Sequence, residues 1–309
     1  METAPLHNDI AEGPSGGAAW WLTTDDGIRI RAALWRGGAK GTILLFNGRT
    51  EYIEKYGRIA AQFEKLGYSV LTVDWRGQGL AERLIDDPMI GHVEQFSDYQ
   101  LDVKAVMALV ARADVPKPLF LIGHSMGGAI GMRALAEGLP VSAAVFSGPM
   151  WGLAIAPHLR PIAATVPGIY KSLGLGHVRS WATSAKSYLD ESPFEDNTLT
   201  TDQDSWERMI AREKALPEVA LAGPSMSWVM GAMREIRSLM AMPAPSVPTL
   251  TFVGDNERIA HPPAIHDRMS RWPLGRIRVL PGEHELMMEK PDICDQFVRE
   301  TGAHFDKHA

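Results

Sequence analysis

Short apolar segments alternate with amphipathic segments along most of this chain, and this alternation restricts its fold more than any other feature. The segments between the apolar runs have helical spacing, as in residues 56–67, 96–113 and 126–138. Strands that are apolar throughout and separated by helices form parallel sheets covered on both faces. The sequence therefore predicts an α/β fold with a mostly parallel central sheet. The predicted strands are TILLF (42–46), SVLTVDW (69–75), PLFLIG (118–123), SAAVFSG (142–148), TLTFVG (249–254) and RIRVLPG (276–282), preceded by a hairpin over residues 19–35.

The alternation stops between Pro149 and Pro248, where no strand pattern is visible. Nearly a hundred residues without a strand, placed between two strands of a sheet, indicate a helical insertion. We therefore expect an α/β core formed by residues 1–149 and 246–309, and a helical cap formed by residues 150–245.

Tryptophan and methionine are frequent in this insertion. Such side chains suit adaptable apolar surfaces, but a methionine stripe at helical spacing is also typical of a buried helix face. Both interpretations stay open for the residues expected to bind substrate. These are Trp151, Met226, Trp228 and Met230.

Composition excludes some functions. The net charge of −6 and the pI near 5.9 argue against a nucleic-acid surface. The only cysteine, Cys294, has no partner for an internal disulfide, which indicates a cytoplasmic protein. The N-terminus lacks a signal-peptide pattern and no apolar run is long enough to span a bilayer, so we expect a soluble protein that can still make peripheral contact with the inner membrane. The sequence gives no indication of oligomeric state.

The predicted strand 118–123 ends in GHSMGG, which contains the pattern G-x-S-x-G around Ser125. A strand that turns sharply into a helix can hold its corner residue in an exposed, strained conformation, and the flanking glycines remove clashing Cβ atoms. The hydroxyl then lies at the carboxyl end of the sheet, beside a helix N-terminus. This context predicts that Ser125 is a nucleophile.

A serine nucleophile needs a histidine base and a carboxylate that orients it, in the chain order serine, acid, histidine. His284 follows a predicted strand and so lies at the same sheet edge, whereas His304 and His308 belong to a polar tail that we expect to be solvated. For the acid, Asp255 and Glu257 both follow the strand 249–254. Spacing alone leaves both open.

The negative charge that develops during acyl transfer requires two backbone N–H groups. One should come from Met126, which follows the nucleophile. The other should come from the loop NGRTEY (47–52), where Gly48 permits close approach, and we expect the N–H of Arg49 to provide it.

Several longer motifs resemble the α/β-hydrolases of the monoacylglycerol lipase and bacterial lysophospholipase group, with the bacterial branch as the best match. The resemblance spans most of the chain, including the insertion. The motifs are NGRTEYIEKY (47–56), VDWRGQGLAERLIDDPMIGHVEQFSDYQLDV (73–103), GHSMGGAI (123–130), SGPMWG (147–152), AGPSMSWV (222–229), NERIA (256–260) and GEHELMMEK (282–290).

This resemblance implies an α/β-hydrolase fold with a helical cap, and a triad of Ser125, Glu257 and His284. In the family the acid precedes a basic and a β-branched residue, which matches Glu257 and leaves Asp255 as the alternative. The usual family acid is aspartate, so the glutamate is a departure. The resemblance implies cleavage of carboxylic esters of single-chain lipids (a lysophospholipid or a monoacylglycerol) through an acyl-enzyme, with no metal or organic cofactor.

Three alternative functions use the same residues: a carboxylesterase or aminopeptidase for small substrates, an acyltransferase, and a non-catalytic hydrolase-like binding protein. Two interpretations of the Arg49 side chain also stay open. It lies at the edge of the predicted site, where it could pair with a substrate phosphate or form a surface salt bridge with Glu51 or Glu54.

Overall fold

A computed structural model describes residues 1–156, 158, 160–181 and 183–309 of the chain. Its central feature is a nine-stranded sheet in which every strand except the first matches the predicted strands and hairpin within one or two residues. The strands are β1 (Glu2–Ala4), β2 (Ala18–Thr23), β3 (Arg29–Trp35), β4 (Thr42–Phe46), β5 (Ser69–Asp74), β6 (Leu119–His124), β7 (Ala143–Ser147), β8 (Thr249–Gly254) and β9 (Gly275–Leu280).

The strand order across the sheet is β1-β2-β3-β5-β4-β6-β7-β8-β9. β1, β2 and β3 pair antiparallel, β3 pairs antiparallel with β5, and every pair from β5 to β9 is parallel. The predicted hairpin over residues 19–35 is β2–β3, with Thr23 opposite Arg29. Because the parallel strands end at one edge, the residues that follow β4, β6, β7, β8 and β9 are brought together there.

Helices cover both faces of the sheet. They are α1 (Asn8–Ala11), α2 (Gly57–Lys65), α3 (Tyr99–Arg112), α4 (Met126–Ala136), α5 (Arg160–Ser172), α6 (Tyr188–Glu191), α7 (Gln203–Ala215), α8 (Met226–Ala241), α9 (Pro262–Ser270) and α10 (Pro291–Lys307). α3, α4 and α9 pack on one face, and α2 and α10 pack on the other.

Strand β4 illustrates why the apolar runs are continuous. Leu44 and Phe46 enter the core beneath α3 and α4, while Ile43 and Leu45 enter the core beneath α2 and α10. Successive side chains of a strand point to opposite faces, so a strand buried on both faces carries apolar residues in succession, as residues 43–46 do. The prediction of a mostly parallel sheet covered on both sides is confirmed.

The segment between β7 and β8 contains α5, α6, α7 and α8 and, among its described residues, no extended strand. α8 packs against α5 and also against the core helix α4. Its Trp228 indole donates a 3.1 Å hydrogen bond to the Tyr99 hydroxyl at the start of α3. The inserted helices therefore lie over the carboxyl edge of the sheet.

Both ends of the chain differ from the expectation. The sequence pattern did not indicate β1 or α1. The expectation of a solvated tail is wrong for His304, because α10 continues to Lys307 and buries this ring, with Nε2 3.3 Å from the Pro248 carbonyl oxygen. Within the described ranges, no helix combines the length and apolar character needed to cross a bilayer.

Candidate active site

Ser125 occupies the turn between β6 and α4, with φ 49° and ψ −118°. This region of φ is unfavourable for a residue with a Cβ, and such strain persists only where the surroundings enforce it. The second glycine of the pattern, Gly127, has no room for a side chain, since a Cβ there would overlap the Phe46 carbonyl oxygen. The sequence G-x-S-x-G thus folds into the strained turn that was predicted from it.

His284 lies in the loop after β9 and is 4% exposed. Its Nδ1 lies 2.7 Å from Oε2 of Glu257, which follows β8. A carboxylate oxygen only accepts hydrogen bonds, so Nδ1 carries the proton and Nε2 is left with a free lone pair. The geometry therefore gives His284 the tautomer that a general base requires.

The Glu257–His284 pair is buried, and burial alone would lower the pKa of His284. The attraction of the Glu257 carboxylate and its hydrogen bond outweigh this, with smaller contributions from Glu285 and Glu51, so the pKa of His284 is raised. Burial likewise opposes charge on Glu257, but the attraction of His284 and its hydrogen bond lower the pKa of this carboxyl. At neutral pH Glu257 is ionised and stabilises a proton on His284.

The structure distinguishes the two acid candidates. Oε1 of Glu257 accepts 2.8 Å hydrogen bonds from the N–H groups of Ile259 and Ala260, which fix the carboxylate toward His284. Asp255 is exposed and accepts a 2.9 Å hydrogen bond from the Gly282 N–H. Of the two acid candidates, Glu257 is the one that contacts the imidazole of His284.

Gly148, which follows β7, is a site residue that sequence reasoning missed. Its φ is +49°, and a Cβ there would lie 2.8 Å from Glu257 Oε2 and 2.9 Å from His284 Nδ1. The carboxylate–imidazole pair therefore occupies the space that a side chain would fill. The signal was present in the motif SGPMWG (147–152), where the glycine directly follows a strand at the functional edge.

A cavity of about 380 Å³ opens above these residues, between the sheet edge and the inserted helices. Ser125 and His284 both line it, although within the described chain no hydrogen bond of 3.5 Å or less joins the serine hydroxyl to the ring. Such bonds are often long without substrate and shorten in the complex. The lining from the core includes Gly48, Arg49 and Met126, and the lining from the insertion includes Met150, Leu153, Leu199, Leu221 and Trp228.

The loop after β4 approaches Ser125 closely, with the Cβ position of Gly48 3.2 Å from Ser125 Cβ. Two groups hold this loop. Glu51 accepts a hydrogen bond from the Gly48 N–H, and the Gln78 amide donates to the Gly48 and Glu51 carbonyl oxygens at 2.8 and 3.0 Å. Gln78, which belongs to the sequence RGQG (76–79), thus supports the loop beside Ser125.

Two cavity-lining residues have a backbone amide without an acceptor in the described part of the chain. The N–H groups of Arg49 and Met126 donate to no atom in the described part of the chain, although both residues line the cavity. Buried backbone donors are normally paired. Two free donors beside a strained serine form a site suited to a negatively charged oxygen.

Behind this loop lies a buried ionic cluster, which sequence reasoning also missed. Lys55 Nζ lies 2.7 Å from a carboxylate oxygen of Glu51 and 2.7 Å from one of Glu285. Burial opposes charge on every member, yet the attraction of Lys55 lowers the pKa of Glu51 to about 2, and the two carboxylates raise the pKa of Lys55. Burial outweighs the attraction at Glu285, whose pKa is raised.

His124 lies between this cluster and the candidate base. Its ring centroid is 4.8 Å from that of His284, and its Nδ1 donates to the Ser147 carbonyl oxygen at 3.0 Å. Burial lowers the pKa of His124 to about 4, so the ring is neutral near pH 7. Glu51, His124 and Glu285 bring possible ligand atoms within 4.8 Å of one another, but both carboxylates are already ion-paired with the Lys55 ammonium.

Of the four residues of the insertion that were expected to bind substrate, one lines the cavity. Trp228 lines the cavity, but Trp151, Met226 and Met230 do not. Trp151 is fully buried in the core, where it packs on Phe146 and Trp272 and donates to the Gly128 carbonyl oxygen. The expectation for Trp151 is corrected because core packing consumes its whole surface.

A nine-stranded, mostly parallel sheet covered by helices, with a strained serine after one strand and a carboxylate–imidazole pair after later strands, defines an α/β-hydrolase. Residues 37–291 match the family described as serine aminopeptidase, S33, and the chain belongs to this family.

Individual proteins resemble the chain over most of its length. Lysophospholipase L2 of Escherichia coli (strain K12) is 26% identical over 93% of this chain and 87% of its own length. Probable lysophospholipase L2 of Haemophilus influenzae is 28% identical over 81% of this chain and 79% of its own length. Among solved structures, a soluble variant of monoglyceride lipase from Saccharomyces cerevisiae superposes with a TM-score of 0.72 and 20% identity, covering 94% of both chains.

Proposed function

We propose that this protein is a serine hydrolase that cleaves the carboxylic ester of single-chain lipids through an acyl-enzyme on Ser125. The observation that carries the proposal is the 2.7 Å contact between Glu257 and His284 Nδ1, since it leaves Nε2 free in the cavity that Ser125 lines. The names of the relatives, lysophospholipase L2 and monoglyceride lipase, support an ester of a lipid as the substrate.

In the first half of the reaction, His284 Nε2 removes the proton of Ser125 as Oγ attacks the ester carbonyl carbon. The carbonyl oxygen becomes an oxyanion, which the N–H groups of Arg49 and Met126 stabilise by hydrogen bonds. The imidazolium then donates its proton to the leaving alcohol as the carbon–oxygen bond breaks. Glu257 stays ionised and stabilises the imidazolium throughout.

In the second half, a water molecule gives its proton to His284 Nε2 and its oxygen attacks the acyl carbon. The tetrahedral intermediate collapses, the bond to Oγ breaks, and the proton on the ring returns to Ser125. The products are a fatty acid and the alcohol, and no electrons are gained or lost overall.

We assign residues 150–245 to a cap that shapes the acyl-chain site over the core formed by 1–149 and 246–309. Apolar cavity residues from this cap, such as Leu221 and Trp228, support an apolar ligand. Large exposed apolar side chains of the cap also support peripheral contact with a membrane, and we place the enzyme in the cytoplasm at the inner membrane. These side chains include Ile169, Leu173, Leu175 and Trp181.

A substrate panel tests the proposal. The wild-type protein should hydrolyse monoacylglycerols and lysophospholipids, faster for long than for short acyl chains, because each buried methylene contributes about 0.8 kcal/mol. Ser125→Ala should abolish both this activity and labelling by a fluorophosphonate, while the unfolding midpoint stays unchanged. Labelling of wild type without ester hydrolysis, but with release of amino acids from aminoacyl amides, would instead support an aminopeptidase, the activity named in the family's description.

A further inference from the structure

Arg49 carries a guanidinium that has no carboxylate partner in the described part of the chain. The two acids that neighbour it in sequence are both engaged elsewhere: Glu51 with Lys55, and Glu54 with Arg31 at 2.7 Å. The salt bridge with Glu51 or Glu54 that the sequence left open therefore does not form. Burial lowers the pKa of Arg49 to about 10, which still leaves the side chain charged at neutral pH.

The guanidinium is held in place by neutral groups from three segments. Nη1 donates a 2.7 Å hydrogen bond to the Ala222 carbonyl oxygen, and Cζ lies 5.7 Å from the ring centroid of Trp228. A Cβ on Gly91 would lie 3.1 Å from Nη1, so the absence of a side chain there leaves room for the group. These contacts use few of the five N–H donors of arginine, and none of them balances its positive charge.

The charged groups around the cavity favour an anion beside Arg49. Of the acids that line it, Glu51 and Glu285 are both ion-paired with Lys55, and Glu191 is exposed. Lys186 also lines the cavity and is an exposed second cation. A half-buried cation without a counter-ion is costly, and a bound phosphate would supply bidentate, charge-assisted hydrogen bonds.

We propose that the Arg49 side chain binds the phosphodiester of the substrate's head group and so selects lysophospholipids over monoacylglycerols. This assignment rests on the proposed ester hydrolase function. Arg49 then serves the reaction through two separate groups: its backbone N–H faces the reacting carbonyl oxygen, and its side chain faces the head group.

The test compares kcat/KM for a lysophosphatidylethanolamine and a monoacylglycerol with the same acyl chain. Replacing Arg49 by Met should lower the ratio of the two values about 10- to 100-fold, the effect of losing a hydrogen bond to a charged group. The ratio cancels any general disturbance of the backbone N–H or of the cap, because both esters require these equally. Arg49→Lys should restore part of the preference, since it keeps the charge without the planar donor pair.

Arg83 provides a matched control. Its guanidinium is also half-buried, and among the described residues it donates only to the carbonyl oxygens of Ala81, Pro88 and Glu218. Arg83 does not line the cavity. Arg83→Met removes the same charge and should leave the ratio unchanged. An equal fall in both variants would show a general charge effect and overturn the assignment, as would an unchanged ratio in Arg49→Met.

Calorimetry of the Ser125→Ala protein with dodecylphosphocholine separates binding from hydrolysis. Binding that weakens when Arg49→Met is added supports the head-group site, and binding that does not change contradicts it, whatever the substrate panel gives. Inorganic phosphate is added as a competitor to distinguish a lipid head-group site from a site for a free anion. The assignment requires dodecylphosphocholine to bind more tightly than inorganic phosphate. If wild type hydrolyses neither ester, the proposed function fails first and the selection role fails with it.

Discussion

At the scale of single residues, the charge on Glu257 determines how readily His284 is protonated. Because Glu257 stabilises the imidazolium, the pKa of His284 lies above its ordinary value of about 6.5. The proposed base must be neutral to act, so kcat/KM should fall as pH is lowered through this raised pKa. The acid limb of the pH profile should therefore lie above about pH 6.5.

Glu257→Gln removes this charge, so the acid limb should move to lower pH while kcat falls about 10²- to 10⁴-fold. Measuring kcat/KM against pH for both proteins checks the direction. Asp255→Asn is the matched control, because Asp255 contacts Gly282 and not the ring. Loss of activity in Asp255→Asn with near-normal activity in Glu257→Gln would reverse the assignment of the acid.

Gly148 gives a second prediction for a single residue. Gly148→Ala should place a methyl group against the Glu257–His284 pair, so kcat should fall at least 10-fold, an effect of misplacing catalytic groups. Gly138→Ala is the control, since Gly138 also has a positive φ (+94°) but nothing within 4 Å of its Cβ position. Gly138→Ala should lose only the unfolding free energy that a strained backbone costs and should keep its activity, whereas Gly148→Ala should lose activity. Equal activity in the two would contradict the role given to the space at Gly148.

The residues differ in how well the sequence alone could place them. Ser125 and His284 follow strands in a recognisable order, so their positions at one edge were predictable. The residues themselves did not separate Glu257 from Asp255, because the choice depends on which way a short turn directs each side chain. Trp151 was misplaced for another reason: a tryptophan near the sheet edge can fill the core or line a cavity, and only packing decides.

At the scale of elements, the loop after β4 and the loop after β9 are joined by Lys55. Lys55 pairs with Glu51, four residues earlier, and with Glu285, 230 positions away in sequence. No local pattern revealed the second pair because of this separation. Strands β4 to β8 could be predicted from the apolar runs, since each of them is buried on both faces. The edge strand β1 could not, because its three residues include two exposed ones.

Lys55→Met should leave two buried carboxylates without a counter-ion and cost about 3–5 kcal/mol of unfolding free energy at neutral pH. The loss should shrink as pH falls, because protonation removes the charge on Glu285 and then on Glu51. Lys40→Met is the control, since its ion pair with Asp306 is about half exposed and should contribute little. Urea denaturation at several pH values measures both effects, and a pH-independent loss would argue against the ionic explanation.

At the scale of the whole molecule, the exposed apolar side chains of the proposed cap predict that this side of the enzyme meets lipid. Leu173→Asp, at a leucine that is 67% exposed, should weaken binding to phospholipid vesicles and slow hydrolysis of vesicle-bound ester, while hydrolysis of a water-soluble ester stays unchanged. Leu274→Asp is the matched control, because Leu274 is 53% exposed on the surface of the α/β core domain, outside residues 150–245. Vesicle sedimentation compares the two, and equal binding would remove the cap from the proposed contact.

The order of the proposed catalytic groups along the chain has a consequence for biosynthesis. Ser125 leaves the ribosome early, whereas Glu257, His284 and Glu285 lie beyond the insertion, and the orienting contacts with Glu257 and Lys55 must wait for them. A nascent chain that has folded only its first strands carries a serine with no base. On the proposed roles, a nascent chain that ends within the insertion should therefore hydrolyse no ester, because activity requires synthesis past Glu285.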